Sequence, residues 1–502
     1  MNWLLNRPKW QLALLSGILV GLAYPPLPLG FLIWVSFLPF MALLLRATPL
    51  QALRYSYLTG ITANLVSLYW IGFNRGAGWG AVLLSLIAAV LYLGVFWALF
   101  GSVVSWLHKK TGQGLVMIPF LWVLMEYGRS FGTLAFPWHD LALTQTHYLP
   151  LVQIADITGT YGISFWIMLL NVGFYSTMVT PRNRPLVLSL TGVVFLSMLV
   201  LGQWRLLTWD KTSAEKTVSV AIVQPNVDPN QKWDYTFRNA LFELMDSLHV
   251  VAIGLEPDFI LWPESATPAY LRLSRHARRP IQKRVMESNI PLLAGTVDRQ
   301  AHEDGSYDYY NGSLYLQPDG GLKIYYKMHL VPFGEYIPWT EQFPVLKKLN
   351  LGQGNFTPGD QYTLFEVDSV QFGNLICYES SMPRISRRFV QEGAQFLTIE
   401  TNDAWFGNTS GPYQHFELAK LRAIELRVSI ARSANTGISG IILPSGRVAQ
   451  TIPLNQQGIL KGDLPIPNRT SYYSRYGDWF VLVNSLLLLL LIGLGWSKPV
   501  KK

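Results

Sequence analysis

The 502-residue chain contains a single cysteine, Cys377. That excludes any intrachain disulfide framework and leaves one residue for thiol chemistry. Charge is also scarce: 14% of the residues are Asp, Glu, Lys or Arg, against 50% hydrophobic, a balance that excludes one soluble domain and points to a membrane protein. Acidic residues are nearly missing from both ends. Outside the stretch from Gly202 to Trp479 there are 13 Lys/Arg but only Glu126, Asp140 and Asp156, whereas inside it 27 Lys/Arg balance 28 Asp/Glu. The formal net charge of +9 therefore lies around the apolar runs, the pattern of membrane topology and not of nucleic-acid binding. The eight histidines are scattered, and no His, Cys or carboxylate cluster has metal-ligand spacing, so neither metal nor cofactor is expected. Internal repeats and low-complexity tracts are missing as well.

What is present is a series of apolar runs near residues 10–24, 29–45, 55–73, 80–107, 114–128, 160–179, 185–202 and 479–496. Each suits a hydrocarbon core of about 30 Å, which predicts eight spans. Trp10–Tyr24 and Gly114–Gly128 are the shortest, and Pro25-Pro26 ends the first, so a paired re-entrant arrangement is the alternative for these two. With a cytoplasmic N-terminus, the inner segments receive Arg7, Lys9, Arg46, Arg54, Lys109, Lys110, Arg182, Arg184, Lys498, Lys501 and Lys502, and the short outer loops only Arg75 and Arg129. The expected organisation is a seven-helix membrane domain over residues 1–202, an extracytoplasmic domain over 203–478, and an eighth helix with a cytoplasmic tail over 479–502. The first span is followed at once by others and is not expected to be a cleaved signal. A further outer loop, about 129–159, holds Phe136-Pro137-Trp138-His139-Asp140 and is too aromatic for a simple linker.

The segment 203–478 alternates short apolar runs with turn clusters such as Asp304-Gly305 and Asp319-Gly320-Gly321, the pattern of one α/β domain. Strands are predicted at Val218–Val223, Phe259–Trp262, Leu292–Gly295, Gly312–Leu316, Asn374–Cys377, Phe396–Thr401 and Gly440–Leu443, with helices at Arg238–Ile253, Arg275–Ser288 and Phe416–Ser429.

Three residues in this segment suggest chemistry. Cys377 ends the run Phe372-Gly-Asn-Leu-Ile-Cys377-Tyr378-Glu379, where a strand tip can present a thiol to a pocket; an inert buried cysteine is the alternative. Glu264 follows the run Phe259-Ile-Leu-Trp-Pro263, and Lys327 lies in the aromatic-rich Lys323-Ile-Tyr-Tyr-Lys327-Met-His329-Leu-Val-Pro332-Phe-Gly334-Glu335-Tyr336. A thiolate nucleophile needs a base to take its proton, and an ammonium stabilises the oxyanion that follows attack on an acyl group. Glu264 is the candidate base, with its pKa raised by apolar neighbours such as Trp262; Lys327 is the candidate oxyanion donor, helped by the backbone N–H of Tyr378.

Glu264, Lys327 and Cys377 in this order and these contexts resemble the nitrilase superfamily. The longer strings Trp-Pro-Glu-Ser, His-Leu-Val-Pro-Phe-Gly-Glu-Tyr, Ile-Cys-Tyr-Glu and Thr401-Asn-Asp-Ala-Trp405-Phe-Gly, set between seven spans and one, look like the apolipoprotein N-acyltransferase family. The resemblance covers the whole chain and implies an α-β-β-α sandwich for the central domain. It also implies a bacterial cytoplasmic membrane, with the catalytic domain facing the periplasm. The implied reaction is ping-pong acyl transfer: Cys377 takes the sn-1 chain of a membrane phospholipid as a thioester and passes it to the N-terminal amine of a diacylglyceryl-cysteine apolipoprotein. Glu335, Tyr378 and Glu379 match family positions that support the catalytic set. Trp233 resembles a tryptophan near the lipid entrance, and Trp405 and Phe406 are candidate acyl-chain contacts. His329 and His415 are expected to be structural. The apolar stretches Ile337-Pro-Trp339 and Phe343-Pro-Val345-Leu346 fit either an arm that enters lipid or core packing. The partners implied are phospholipid, apolipoprotein and the bilayer, with the chain acting as a monomer. Two rival readings are a membrane-tethered amidohydrolase with the same three residues and a transporter or scaffold carrying an inactive enzyme domain. The second needs intramembrane charges, of which Glu126 is almost the only one.

Overall fold

The computed structural model describes residues 6–179, 183–210, 214–232, 236–348 and 355–497; Trp233, one of the expected lipid contacts, lies outside the described residues. The chain divides into two compact units, one of residues 1–72, 82–209 and 471–502, the other of 73–81 and 210–470.

The first unit is helical. Among the described residues four helices are long and apolar enough to cross a membrane: Trp79–Thr111, Thr160–Val179, Arg184–Asp210 and Trp479–Trp496. The helices at Lys9–Leu22 and Gly114–Arg129 have 14 and 16 residues. The apolar run 29–45 is not one helix but a 3-10 turn, Gly30–Trp34, followed by the seven-residue helix Leu38–Leu44. Pro49–Leu68 begins with a reciprocal cap between Thr48 and Gln51, which satisfies two N-terminal donors. Gly17 and Gly21 let the first helix approach Pro49–Leu68 closely: a Cβ at Gly17 would lie 2.7 Å from the Thr59 carbonyl oxygen, and one at Gly21 2.5 Å from Val66 Cβ. Phe37, Phe40, Trp97, Phe100 and Trp122 form the aromatic core, with centroid separations of 4.9–6.3 Å. Within this apolar unit Arg129 is fully buried and paired with Asp140 at 2.9 Å. Glu126 accepts from Trp122 Nε1 and the backbone of Leu141, so the polar loop residues are tied to the helix.

The second unit contains two six-stranded sheets. The first has the order β12-β1-β2-β3-β4-β5, from β1 (Ala214–Gln224), β2 (Phe259–Leu261), β3 (Leu292–Ala301), β4 (Tyr307–Leu316), β5 (Leu322–Tyr326) and β12 (Gly458–Pro467). The second has the order β11-β10-β9-β8-β7-β6, from β6 (Leu364–Val367), β7 (Val370–Ile376), β8 (Phe396–Thr401), β9 (Ser429–Ala434), β10 (Ser439–Ile442) and β11 (Val448–Ile452). In each, three adjacent strands are parallel (β1, β2, β3 and β7, β8, β9) and the outer pairings antiparallel.

The inner faces meet through Phe259, Phe372, Phe396 and Tyr315, whose rings lie 4.8–5.9 Å apart. Each such pair adds about 0.5–1.5 kcal/mol beyond its burial. On the outside of the first sheet, Leu241, Met245 and Leu248 of helix Arg238–Ile253 and Ile281 and Val285 of helix Arg275–Ser288 pack against Ala221, Ile260, Leu292 and Leu314. Helices Pro383–Gln391 and Ser410–Leu426 cover the second, with Phe389 against Gly373 and Phe416 against Gly440. The layers therefore run helix, sheet, sheet, helix. The expected strands all fall within observed ones except that Trp262, Cys377 and Leu443 lie just past strand ends. The helix expected at Phe416–Ser429 begins at Ser410 and stops at Leu426, because Arg427 takes the left-handed conformation and Ser429 opens β9.

Candidate active site

Glu264, Lys327 and Cys377 each follow the carboxyl end of a strand, β2, β5 and β7 respectively. The Pro263–Ser265 turn after β2 crosses β3 so tightly that a Cβ at Gly295 would lie 2.3 Å from the Pro263 carbonyl oxygen, and only glycine fits there. Ser265 adopts φ 47° and the Ala266 N–H is received by the Gly295 carbonyl at 2.8 Å, which fixes the buried Glu264 side chain.

Lys327 Nζ lies 2.8 Å from the Glu335 carboxylate and 3.8 Å from Glu264 Oε1. Asn311 of β4 binds the two acids together: its Nδ2 donates to Glu264 at 2.7 Å and to Glu335 at 2.9 Å, and its backbone carbonyl receives the Lys327 backbone N–H at 2.9 Å. Glu335 is completed by the Val331 N–H at 2.8 Å. Burial by itself lowers the Lys327 pKa, but Glu335 and then Glu264 override it, and the lysine is held above its ordinary value as a cation. Burial raises the Glu264 pKa, with Lys327 opposing and Glu335 reinforcing the rise.

Cys377 opens the 3-10 turn Cys377–Ser381 with φ 52°. A non-glycine residue in that region stores about 1–3 kcal/mol of strain and is found where surrounding structure imposes it. Cys377 as a residue is half-buried. Its pKa is raised by burial and by the Glu264 carboxylate, while Lys327 pulls it down, so both expected partners act on it.

Glu379, expected as a supporting residue, joins the two sheets. It accepts from Tyr325 Oη at 2.9 Å, from the N–H groups of Met328 and His329 at 2.7 and 3.1 Å, and from the Ile376 N–H at 2.8 Å. The loop after Lys327 and the residue before Cys377 thus hang on one carboxylate. Every partner donates, the pattern an ionised acid favours, while burial pushes its pKa up to about 7. The Tyr378 ring stacks on His329 with centroids 5.8 Å apart.

Trp405 and Phe406 sit in the 3-10 turn Asp403–Phe406 after β8, half-buried, with the Trp405 carbonyl receiving the Arg75 N–H at 2.8 Å. Of the apolar stretches, Trp339, Phe343 and Val345 are exposed, whereas Pro338 is buried and Ile337 and Leu346 are half-buried. Two further residues were missed in the sequence. Asn311 is one; an Asn inside a Tyr-rich strand is disfavoured on propensity and was the available signal. Lys232 is the other: buried, its Nζ donates to the Glu264 carbonyl at 3.2 Å, and burial lowers its pKa to about 8.

A thiol on a strained turn, a buried carboxylate and a buried ammonium, set over two sheets within four layers, define the carbon-nitrogen hydrolase class. The Carbon-nitrogen hydrolase family matches residues 219–473, and the Apolipoprotein N-acyltransferase N-terminal domain matches residues 16–173. The chain is 35% identical to an apolipoprotein N-acyltransferase of Geobacter metallireducens, over 94% of this chain and 92% of that protein. It is 31% identical to one of Chlorobaculum tepidum, over 95% and 94% respectively. The chain belongs to the apolipoprotein N-acyltransferase family. The chain also aligns with a solved amidase of Nesterenkonia sp. AN1 at 18% identity and a TM-score of 0.41, covering 55% of this chain and 99% of that one.

Proposed function

We propose that this membrane enzyme moves the sn-1 acyl chain of a phospholipid to the N-terminal amine of diacylglyceryl-cysteine apolipoproteins through a thioester on Cys377. The observation that carries this reading is the chain's one thiol standing on a strained turn under the influence of both Glu264 and Lys327, in a chain that matches acyltransferase relatives over nearly its full length.

In the first half-reaction Glu264 takes the thiol proton and the sulfur attacks the ester carbonyl. Lys327 and the Tyr378 N–H hold the oxyanion, and the intermediate collapses with the glycerol oxygen leaving, protonated by Glu264. In the second, the acceptor amine attacks the thioester, Glu264 takes the amine's proton and delivers it to the departing sulfur, and the thiol is released. Glu335 and Asn311 keep Lys327 placed, and Glu379 holds the lysine loop to the nucleophile turn. Trp233, Trp405 and Phe406 are assigned to the lipid path, and the exposed Trp339, Phe343 and Val345 to contact with the bilayer.

We read the membrane portion as eight crossings with both termini cytoplasmic, the catalytic domain of about 203–478 in the periplasm, and the working unit as a monomer. The balance of inner and outer basic residues supports that orientation. A membrane-impermeant thiol reagent should label Cys377 from the outer face only; labelling only from the cytoplasmic face would reverse the topology. Family membership favours acyl transfer over the amidohydrolase reading. The deciding experiment is intact-protein mass spectrometry after mixing the purified chain with phospholipid and no acceptor. An acyl mass on Cys377 that hydroxylamine removes is expected, and a free thiol in folded protein would overturn the mechanism.

A further inference from the structure

The carbonyl of Cys377 is engaged by a buried polar chain that the reaction above does not use. Ser380 Oγ donates to it at 2.8 Å, and His415 Nε2 lies 3.1 Å from the same oxygen and 2.8 Å from Ser380 Oγ. On the far side of the ring, His415 Nδ1 meets Asp403 Oδ1 at 2.8 Å, and Arg432 takes the other Asp403 oxygen at 2.7 Å. All four side chains are buried. Asp403 is ionised, with a pKa of about 2, because His415 and Arg432 outweigh its burial. Its Oδ1 therefore accepts a hydrogen bond from Nδ1–H and sets the plane and depth of the ring; donation from Nε2 to the carbonyl then requires the doubly protonated ring.

The Cys377 carbonyl and the Tyr378 N–H belong to one planar peptide unit, which is trans. In a trans peptide the two point in opposite directions. A group that fixes the oxygen on one side of the turn therefore fixes where the hydrogen points on the other. The Cys377 carbonyl lies past the end of the strand ladder, at the opening of a 3-10 turn whose i→i+3 backbone bonds have poorer geometry, so side-chain bonds add to what holds the peptide plane.

We propose that Asp403, His415 and Ser380 are positioning residues that pin the Cys377 carbonyl and so aim the Tyr378 N–H at the acyl oxyanion. The inference rests on the thioester reading, in which that N–H is one of two oxyanion donors. It assigns to His415 more than a packing role without giving it contact with substrate.

The test compares two reactions of the same thiol. Thioester formation from phospholipid passes through an oxyanion; alkylation by iodoacetamide displaces iodide at carbon and needs none. Ser380→Ala removes the direct donor with almost no change in volume. It should slow thioester formation by about tenfold, the effect of one net hydrogen bond, while alkylation stays within about twofold of wild type. His415→Leu should slow thioester formation more than Ser380→Ala, and His415→Gln, whose amide can still donate toward the carbonyl, should recover part of that loss. Equal thioester rates in wild type and S380A overturn the proposal, as does a parallel loss of alkylation, which would mean that the chain activates the thiol. If H415L lowers the melting temperature sharply, S380A carries the decision. A wild-type enzyme that forms no thioester at all defeats the acyl-transfer mechanism instead, so the two failures are distinguishable.

Discussion

The sheet that carries Glu264, Asn311 and Lys327 and the sheet that carries Cys377 position their functional groups by different means. On the first, the side chains are held by charge: two carboxylates and one ammonium share an asparagine, and the cation is kept charged because its neighbours outweigh burial. On the second, the backbone is held in a conformation it would not adopt alone, by hydrogen bonds from Ser380 to the Cys377 carbonyl and from Ile376 to Glu379. Charge placement tolerates little change in charge and some change in shape. A strained turn has the opposite tolerance.

Removing the proposed nucleophile should have the largest effect. Cys377→Ala is expected to abolish acyl transfer while its melting temperature stays close to wild type, since the turn is held by Ser380 and Glu379 and not by sulfur; an assay of transfer beside a thermal melt checks both. Lys327→Met should reduce thioester formation by about 10²–10³-fold, the effect of losing an oxyanion donor. Here the charge-built sheet predicts a stability loss too, because Glu335 and Glu264 would be left buried without their cation. A K327M protein as stable as C377A would erase the distinction between the sheets.

Asn311→Leu should cost about tenfold in thioester formation, the order of one or two net hydrogen bonds, and raise the pH at which Glu264 becomes an active base. Asn311 favours the ionised carboxylate, and its loss leaves burial and Glu335 to push the pKa higher. A rate–pH profile of wild type and variant reads that shift, and a profile displaced to lower pH would contradict it.

The smallest effect is on stability. The Glu379 pKa is raised from 4.5 to about 7 in the folded protein, so the folded state binds more protons than the unfolded state between those values. Its contribution is complete below the unfolded pKa and is lost as pH rises toward 7. Glu379→Gln cannot titrate and should show a melting temperature that varies less with pH across that window than wild type. A wild-type slope identical to that of E379Q would remove Glu379 as a titrating clamp.

Two of the three proposed site residues, Glu264 and Cys377, were legible because they sit where short apolar runs end, and Lys327 because of its aromatic-rich string. Phe259–Leu261 and Val370–Ile376 are strands by composition, and a carboxylate or thiol directly beyond such a run lies at a sheet edge whatever the partner strands are. Lys232 was not legible, and Asn311 only as a residue disfavoured in a strand: nothing adjacent to them in sequence indicates that they face Glu264, 32 and 47 residues away respectively. The strands Leu322–Tyr326, Leu364–Val367, Ser429–Ala434, Val448–Ile452 and Gly458–Pro467 were not among those expected, for a related reason. Ser429–Ala434 is wholly buried yet reads Ser-Ile-Ala-Arg-Ser-Ala, because Arg432 is neutralised by Asp403 and Ser433 bonds to the Val223 carbonyl.

The helical unit shows the same limit from the other side. Hydropathy located its apolar runs, but it could not show that residues 29–45 break into a 3-10 turn and a short helix. Nor could it show that Arg129 is buried at full depth against Asp140.

By itself the sequence determined that this is an apolar, membrane-type chain with one thiol, where Glu264 and Cys377 fall relative to strand ends, and which family it resembles. Those follow from composition, periodicity and local strings, which need no knowledge of what packs against what. Only the tertiary structure decided which groups neutralise Lys327, why Cys377 takes a left-handed turn, and how one carboxylate, Glu379, ties the two sheets together. Each of those depends on contacts between residues far apart in the chain, and burial makes such contacts decisive: once water is removed, a charge or a peptide group is held by whatever the fold brings within hydrogen-bonding distance.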